Sequence, residues 1–255
     1  MIKGKKNESD RGGKKGKGGY KRPERPAPLT PTEQRRKQAE ERLAVWEAKT
    51  KLGKMVASGE IDSLHTALNC GFPLREPEII DILVPEIREE VLDIHMVQRM
   101  SDSGRRIRFA VTTVVGNEDG AIGLGRASGK LVRPTIAKSI DKAKMNLIEI
   151  RRGSGSWEST TNEPNSLPFS VMGRCSSTRV TLKPAPPGVG LVTNQVGRIM
   201  LGLAGIKDVW SFSKGQTKTI YNFANAVYTA LKKTSTTRVL VGQEEEQNII
   251  QGAKK

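Results

Sequence analysis

SDSGRRIRFAVTTVVGNEDGAIGLGRASGKLVR, residues 101–133, holds two strand-like runs with a turn between them. Phe109, Val111, Thr113 and Val115 recur with a period of two, so an extended chain places them on one face. Asn117-Glu118-Asp119-Gly120 closes a hairpin, its glycine supplying positive φ, and residues 121–125 return. Ser101-Asp102-Ser103-Gly104 is a turn leading into the first run. Arg105, Arg106, Arg108, Arg126, Lys130 and Arg133 surround the two runs, and no carboxylate lies between Ser103 and Asn117. A short sheet that carries cations and no acid suits contact with the phosphates of a polyanion.

Working outward, residues 89–99 read as a further strand with irregular alternation. Pro134 and Thr135 open a helix whose Ile136, Ile140, Ala143, Leu147 and Ile148 are expected to form its core side. Lys138 and Lys142 lie four apart on another side and share a direction. Residues 151–164 are rich in Gly, Ser and Thr and read as a linker. Strands are expected at 169–173, 179–183 and 209–212, and helices at 195–203 and 220–231. That second series is β-β-α-β-α, so the chain is α+β, each unit a small sheet with helices on it.

At the other end, residues 1–42 carry 14 Lys and Arg against 6 Asp and Glu and form a basic arm expected to be disordered. Pro23, Pro26, Pro28 and Pro31 oppose a helix there. Thr32 can cap a helical stretch bearing Leu43, Trp46, Ala48, Leu52, Met55 and Val56 as an apolar stripe, and a second short helix is expected at 61–68. Between Ala44 and Met100 acids outnumber bases, 10 to 6, which fits a protein contact or packing on the chain's own core equally well.

The 255 residues include 43 Lys and Arg against 27 Asp and Glu, a net charge of +16 that points to RNA, DNA or an anionic surface. No apolar run approaches the ~20 residues a membrane span needs, and no membrane partner is expected. Cys70 and Cys175 are far apart and form no CxxC, fitting reduced, core-type thiols. With His65 and His95 the only histidines, a His-built metal or catalytic site is nearly excluded, and no cofactor is expected.

Two glycine loops invite a nucleotide. Gly129-Lys130 would need glycine at 124 and Ser or Thr at 131 for a P-loop, and leucine stands at both. A dinucleotide fingerprint would need glycine at Ser128. Pro186-Pro187-Gly188-Val189-Gly190 could cradle a phosphate on backbone N–H groups or be an ordinary strand-to-helix turn. Asp208 is the one carboxylate between Asn165 and Gln243, too few for a magnesium site. Trp46, Trp157 and Trp210 are scattered along the chain and suggest no base-stacking platform, so recognition by RNA shape and backbone is expected.

The segments 109–117 and 119–125, with the helix at 136–146, resemble the signature of the small-subunit ribosomal protein five family. So do Thr181 to Gly190, Leu203 to Trp210 and Asn222 to Ala226, while Thr50 to Val56 resembles the archaeal and eukaryotic branch. The resemblance implies a double-stranded-RNA-binding-like sheet-and-helix domain over 86–152 and a second ββαβα two-layer domain over 165–243. Around them stand the basic arm (1–42), a helical extension (43–85), a linker (153–164) and a polar tail (244–255).

It further implies a non-enzymatic protein of the cytoplasmic ribosome with small-subunit rRNA and neighbouring ribosomal proteins as partners. The mRNA would pass close by where it enters the subunit, and the protein would support decoding accuracy. No homo-oligomer is expected. The family's RNA-facing positions fall on Arg99, Gly104, Arg105, Arg106, Arg108, Arg126, Lys130, Arg133, Lys138 and Lys142. Ser101-Asp102-Ser103 departs from the family's usual Lys and Gly. An alternative is a small-molecule kinase of the galactokinase type, whose phosphate loop resembles 186–191. Val192-Thr193-Asn194 here replaces its Ser-rich helix start. A free double-stranded-RNA-binding protein is a third reading.

Overall fold

A computed structural model describes residues 46–159 and 163–252. The basic arm of 1–42 and the Thr32 cap lie outside these residues. Three short helices come first: α1 (Lys51–Ala57), α2 (Leu64–Asn69) and α3 (Glu78–Leu83). Thr50 caps α1 by accepting from the Gly53 N–H at 3.1 Å, and Ser63 caps α2 through the Thr66 N–H at 3.2 Å. Leu52, Val56, Ile61, Ala67 and Ile79 form a small core of their own. Helix α3 was not anticipated; it sits between Pro77 and the strand that follows and docks through a Lys144–Asp81 ion pair at 2.5 Å. Both cysteines are free; Cys70 is exposed and so is not the core thiol expected, while Cys175 is half-buried and packs against the main core.

The first sheet is antiparallel in the order β1 (Arg88–Ser101), β2 (Gly104–Gly116), β3 (Ala121–Gly129) and then a later strand, Leu147–Glu149. The irregular alternation near 89–99 has a structural cause. Val91 faces Thr113 and Asp93 faces Thr112, so Leu92 is an extra residue in a bulge.

Helix α4 (Val132–Met145) covers the face of Phe109, Val111, Thr113 and Val115, and the Leu147–Glu149 strand is β4. The side it buries differs from the expected one. Thr135, Ser139 and Ala143 are buried, whereas Ile136 and Ile140 are only half-covered and Leu147 belongs to β4. The reason lies in β3. A Cβ on Gly123, Gly125 or Gly129 would overlap Ala143, Ser139 or Thr135 in turn. Glycine on the strand and small residues on the helix let the two backbones approach closely, a packing that hydrophobic periodicity does not show.

The second sheet runs β6 (Val171–Cys175), β7 (Thr178–Pro184), β9 (Val209–Lys214), β8 (Leu191–Val192), with β8 parallel to β9. Helices α5 (Gln195–Leu203) and α6 (Ile220–Thr236) complete the β-β-α-β-α order, β8 being the addition. The architecture is mixed α+β throughout. Val114, Ile122, Leu124 and Ile150 join Leu182, Met200, Phe223 and Leu231 in one apolar cluster that spans both sheets.

The two stretches read as linker and tail are bonded into this junction. Arg151–Arg152, here β5, pairs with β10 (Ile250–Gln251), which follows α7 (Val241–Glu246). Gly153 bridges Ser166. Buried Arg152 donates to Asp119 Oδ1 at 2.5 Å and to the Gly252 carbonyl at 3.0 Å. The β2–β3 turn docks beside it, with the N–H of Glu118 on the Leu203 carbonyl at 2.8 Å and that of Gly120 on Ala204 at 3.1 Å. That contact holds Glu118 at a left-handed φ of 57°.

Candidate nucleic-acid interface

Strand register assigns each basic side chain to a face. Arg99 stands directly across from Arg106, Val97 from Arg108, and Arg126 from Thr112. Alternation therefore puts Arg99, Arg106, Arg108 and Arg126 on the face opposite α4. All four are exposed. None is ion-paired among the described residues. Arg106 and Arg108 are about 7 Å apart along the strand. Like charges directly opposite on a sheet are unfavourable in the free protein; an arriving polyanion reverses the sign of that term.

Arg105 behaves differently. It pairs with Met100, so it and Arg106 point to opposite faces, and the tip pair expected to act together is split. Gly104 takes φ 110° at the turn, which a side chain would strain. Ser101 Oγ donates to the Gly104 carbonyl at 3.0 Å and accepts from Arg106 Nε at 3.3 Å, ordering the tip of the hairpin. Asp102 is exposed in the turn and forms no ion pair with these arginines among the described residues.

Lys130 and Arg133 are exposed at the passage from β3 to α4. Lys138 and Lys142 share a flank of α4, one turn apart. That flank borders β3 beyond its pairing with β4, where the strand edge is open. Asn146 Nδ2 donates to the Leu124 carbonyl at 3.1 Å and Lys142 Nζ to the Arg126 carbonyl at 3.3 Å, so side chains satisfy part of this edge.

The arginine face also gains a wall from the second sheet's helices. The Arg126 guanidinium lies 4.4 Å from the Tyr221 ring centroid, a cation–π contact that fixes its direction. The two residues line a cleft of about 520 Å³ with Lys142, Asn146, Asn225 and Tyr228. Tyr228 donates to the Asn146 carbonyl at 2.6 Å, and burial pushes its phenol up to about 12. Tyr221, Asn225 and Tyr228 were not anticipated, because no local pattern links α6 to β3 across nearly a hundred residues.

The two halves of the chain each match a family model. Residues 87–151 match "Ribosomal protein S5, N-terminal domain" and residues 173–244 match "Ribosomal protein S5, C-terminal domain". The chain is 52% identical over 197 residues to small ribosomal subunit protein uS5 of Thermoplasma volcanium, covering 77% of this chain and 89% of that protein. It is 52% identical to the Methanoregula boonei protein of the same name over 195 residues, 76% of this chain and 95% of that one. The Methanocaldococcus jannaschii uS5 is 47% identical over 207 residues, covering 81% and 95%.

The chain belongs to the ribosomal protein S5 family. All ten basic and glycine positions singled out above lie within the stretch that matches the S5 N-terminal domain.

The S5 C-terminal domain holds the glycine loop that resembled a kinase phosphate site. Two of its amides are already occupied. Gly188 and Gly190 donate their N–H groups to Asp208 Oδ1 at 3.1 and 2.8 Å. Asp208 thus takes up two backbone donors that a phosphate would need and turns the loop into a structural element. Among the described residues no group of three or more His, Cys, Asp and Glu could hold a metal ion.

Proposed function

We propose that this chain is a structural, non-enzymatic constituent of the small ribosomal subunit that grips rRNA phosphates with Arg99, Arg106, Arg108 and Arg126. It works in the cytoplasmic ribosome, is of the archaeal type, and has small-subunit rRNA and neighbouring ribosomal proteins as its partners. The observation that carries this reading is the sheet face on which Arg99 and Arg106 stand opposed and without carboxylate partners. A free protein gains nothing from that arrangement, whereas a protein bound to RNA gains counterion release at each contact.

The sheet and its single helix act as a double-stranded-RNA-binding-like unit that reads backbone and shape. Lys130, Arg133, Lys138 and Lys142 continue the contact along the β3 edge and α4. Arg105, on the other face, reaches a different segment of RNA. The protein lies beside the channel through which mRNA enters, and the grip on rRNA there steadies decoding.

The direct test is a sucrose gradient in high-salt buffer. The wild-type chain is expected to stay with small subunits, and Arg106→Ala with Arg108→Ala to wash off at lower salt. A wild-type chain that runs free while the subunits stay intact would overturn the assignment and favour a free double-stranded-RNA-binding protein.

A further inference from the structure

The outer face of the second sheet is a second cationic surface, and it is built differently from the first. Alternation along β6, β7 and β9 turns Val171, Gly173, Val180, Leu182 and Val209 inward, against the helices. The residues between them point out in register. Arg174, Arg179 and Lys214 make one cross-strand row, and Met172, Thr181 and Phe212 the next. Lys183, Trp210 and Val192 make the third.

Two aromatics of β9 share this face. Phe212 is 57% exposed and Trp210 39%, two residues apart on one strand. Lys214 Nζ lies 5.3 Å from the Phe212 centroid. Arg174 donates only to the Ser176 carbonyl, at 3.0 Å, and none of the four cations has an acidic partner among the described residues. Within the stretch from Asn165 to Gln243 Asp208 is the one carboxylate, and it is buried against the glycine loop.

Resting on the reading above, we infer that this face binds an unpaired stretch of RNA, its bases stacking on Phe212 and Trp210 and its phosphates held by Arg174, Arg179, Lys183 and Lys214. Aromatic rings on an open sheet rimmed by cations offer every base a π-face and every phosphate a counter-charge. Duplex RNA has no free base to stack there. A second copy of the chain would bring the same positive face and be repelled. Three cations abreast in one row cost the free sheet stability, and a bound phosphate backbone removes that cost.

The test uses the full chain and two labelled probes, a single-stranded oligouridine of about 12 nucleotides and an RNA duplex of the same length. Phe212→Ala with Trp210→Ala is expected to weaken the single strand roughly fivefold or more per stacked base while leaving the duplex within about twofold. Arg179→Ala with Lys183→Ala should flatten the salt slope for the single strand by about 1.4, roughly 0.7 per lost phosphate contact. If the aromatic pair perturbs folding, Phe212→Leu keeps the apolar bulk and removes the ring.

Unchanged single-strand binding, or equal loss on both probes, overturns the inference. So does a wild-type chain that binds duplex and ignores oligouridine, which leaves the first-sheet reading standing. Failure to remain with small subunits on the gradient would instead remove that reading.

Discussion

Replacing Arg106 and Arg108 together by alanine separates an RNA-binding role from a structural one. Both are exposed, and Arg106 has only a 3.3 Å hydrogen bond to Ser101 to lose. Surface changes of this kind usually fall within about 0.5 kcal/mol of wild type. Removing Arg106 also relieves its cross-strand repulsion with Arg99, worth a few tenths of a kcal/mol, so the melting temperature should hold or rise slightly.

RNA binding should respond quite differently. Two lost phosphate contacts lower the slope of log affinity against log salt by about two. Over a fourfold rise in salt, from roughly 50 to 200 mM, the wild type should then lose about 16-fold more affinity than the variant. Fluorescence anisotropy with a structured small-subunit rRNA fragment, titrated at several salt concentrations, measures this directly. Parallel salt lines with equal affinities would refute the reasoning. A fall of many degrees in melting temperature would mean that the pair supports the fold.

Three further outcomes follow from the packing. Gly125→Val sets a side chain against the backbone of Ser139 and Ala143, which cannot rotate away, and should cost about 1–3 kcal/mol or more in denaturant unfolding; an unchanged midpoint would mean α4 has room to shift. Asp208→Ala removes two charge-assisted hydrogen bonds, each worth about 1.5–3 kcal/mol, and should destabilise the second sheet far more than Asp208→Asn, which keeps an acceptor. Tyr228 favours its neutral form when folded, so its contribution is whole below the ordinary phenol value of 10.0 and is lost as pH rises toward about 12. Alkaline unfolding should therefore be shallower in Tyr228→Phe, and identical pH profiles would count against the burial.

Much of the fold was legible because period-two alternation is strong where one face is buried. Strand β2 came from that signal, and the turn after it from Asn117-Glu118-Asp119-Gly120. The side of α4 that packs did not, since contact there is made by Thr135, Ser139 and Ala143 on glycines, residues that hydrophobic patterning ignores. The pairing of β5 with β10 joins two-residue strands a hundred residues apart, too short for any local signature. For the candidate site, the basic residues themselves were visible. Their sorting into two faces required the register and the Tyr221 wall required the tertiary fold, whereas Trp210 and Phe212 share a face by alternation within the strand expected at 209–212. Asp208 stood out as a solitary acid, yet its place in the glycine loop depends on β9 lying beside that loop.

In the proposed function the face of Arg99, Arg106, Arg108 and Arg126 lies against rRNA. Chemical modification of arginine, read by mass spectrometry in the free chain and in intact small subunits, addresses it residue by residue. Arg99, Arg106 and Arg108 are predicted to react readily when free and to be protected in the subunit, with Arg126 slower in both because it stacks on Tyr221. Equal reactivity of the three in the free chain and in the subunit would contradict the account.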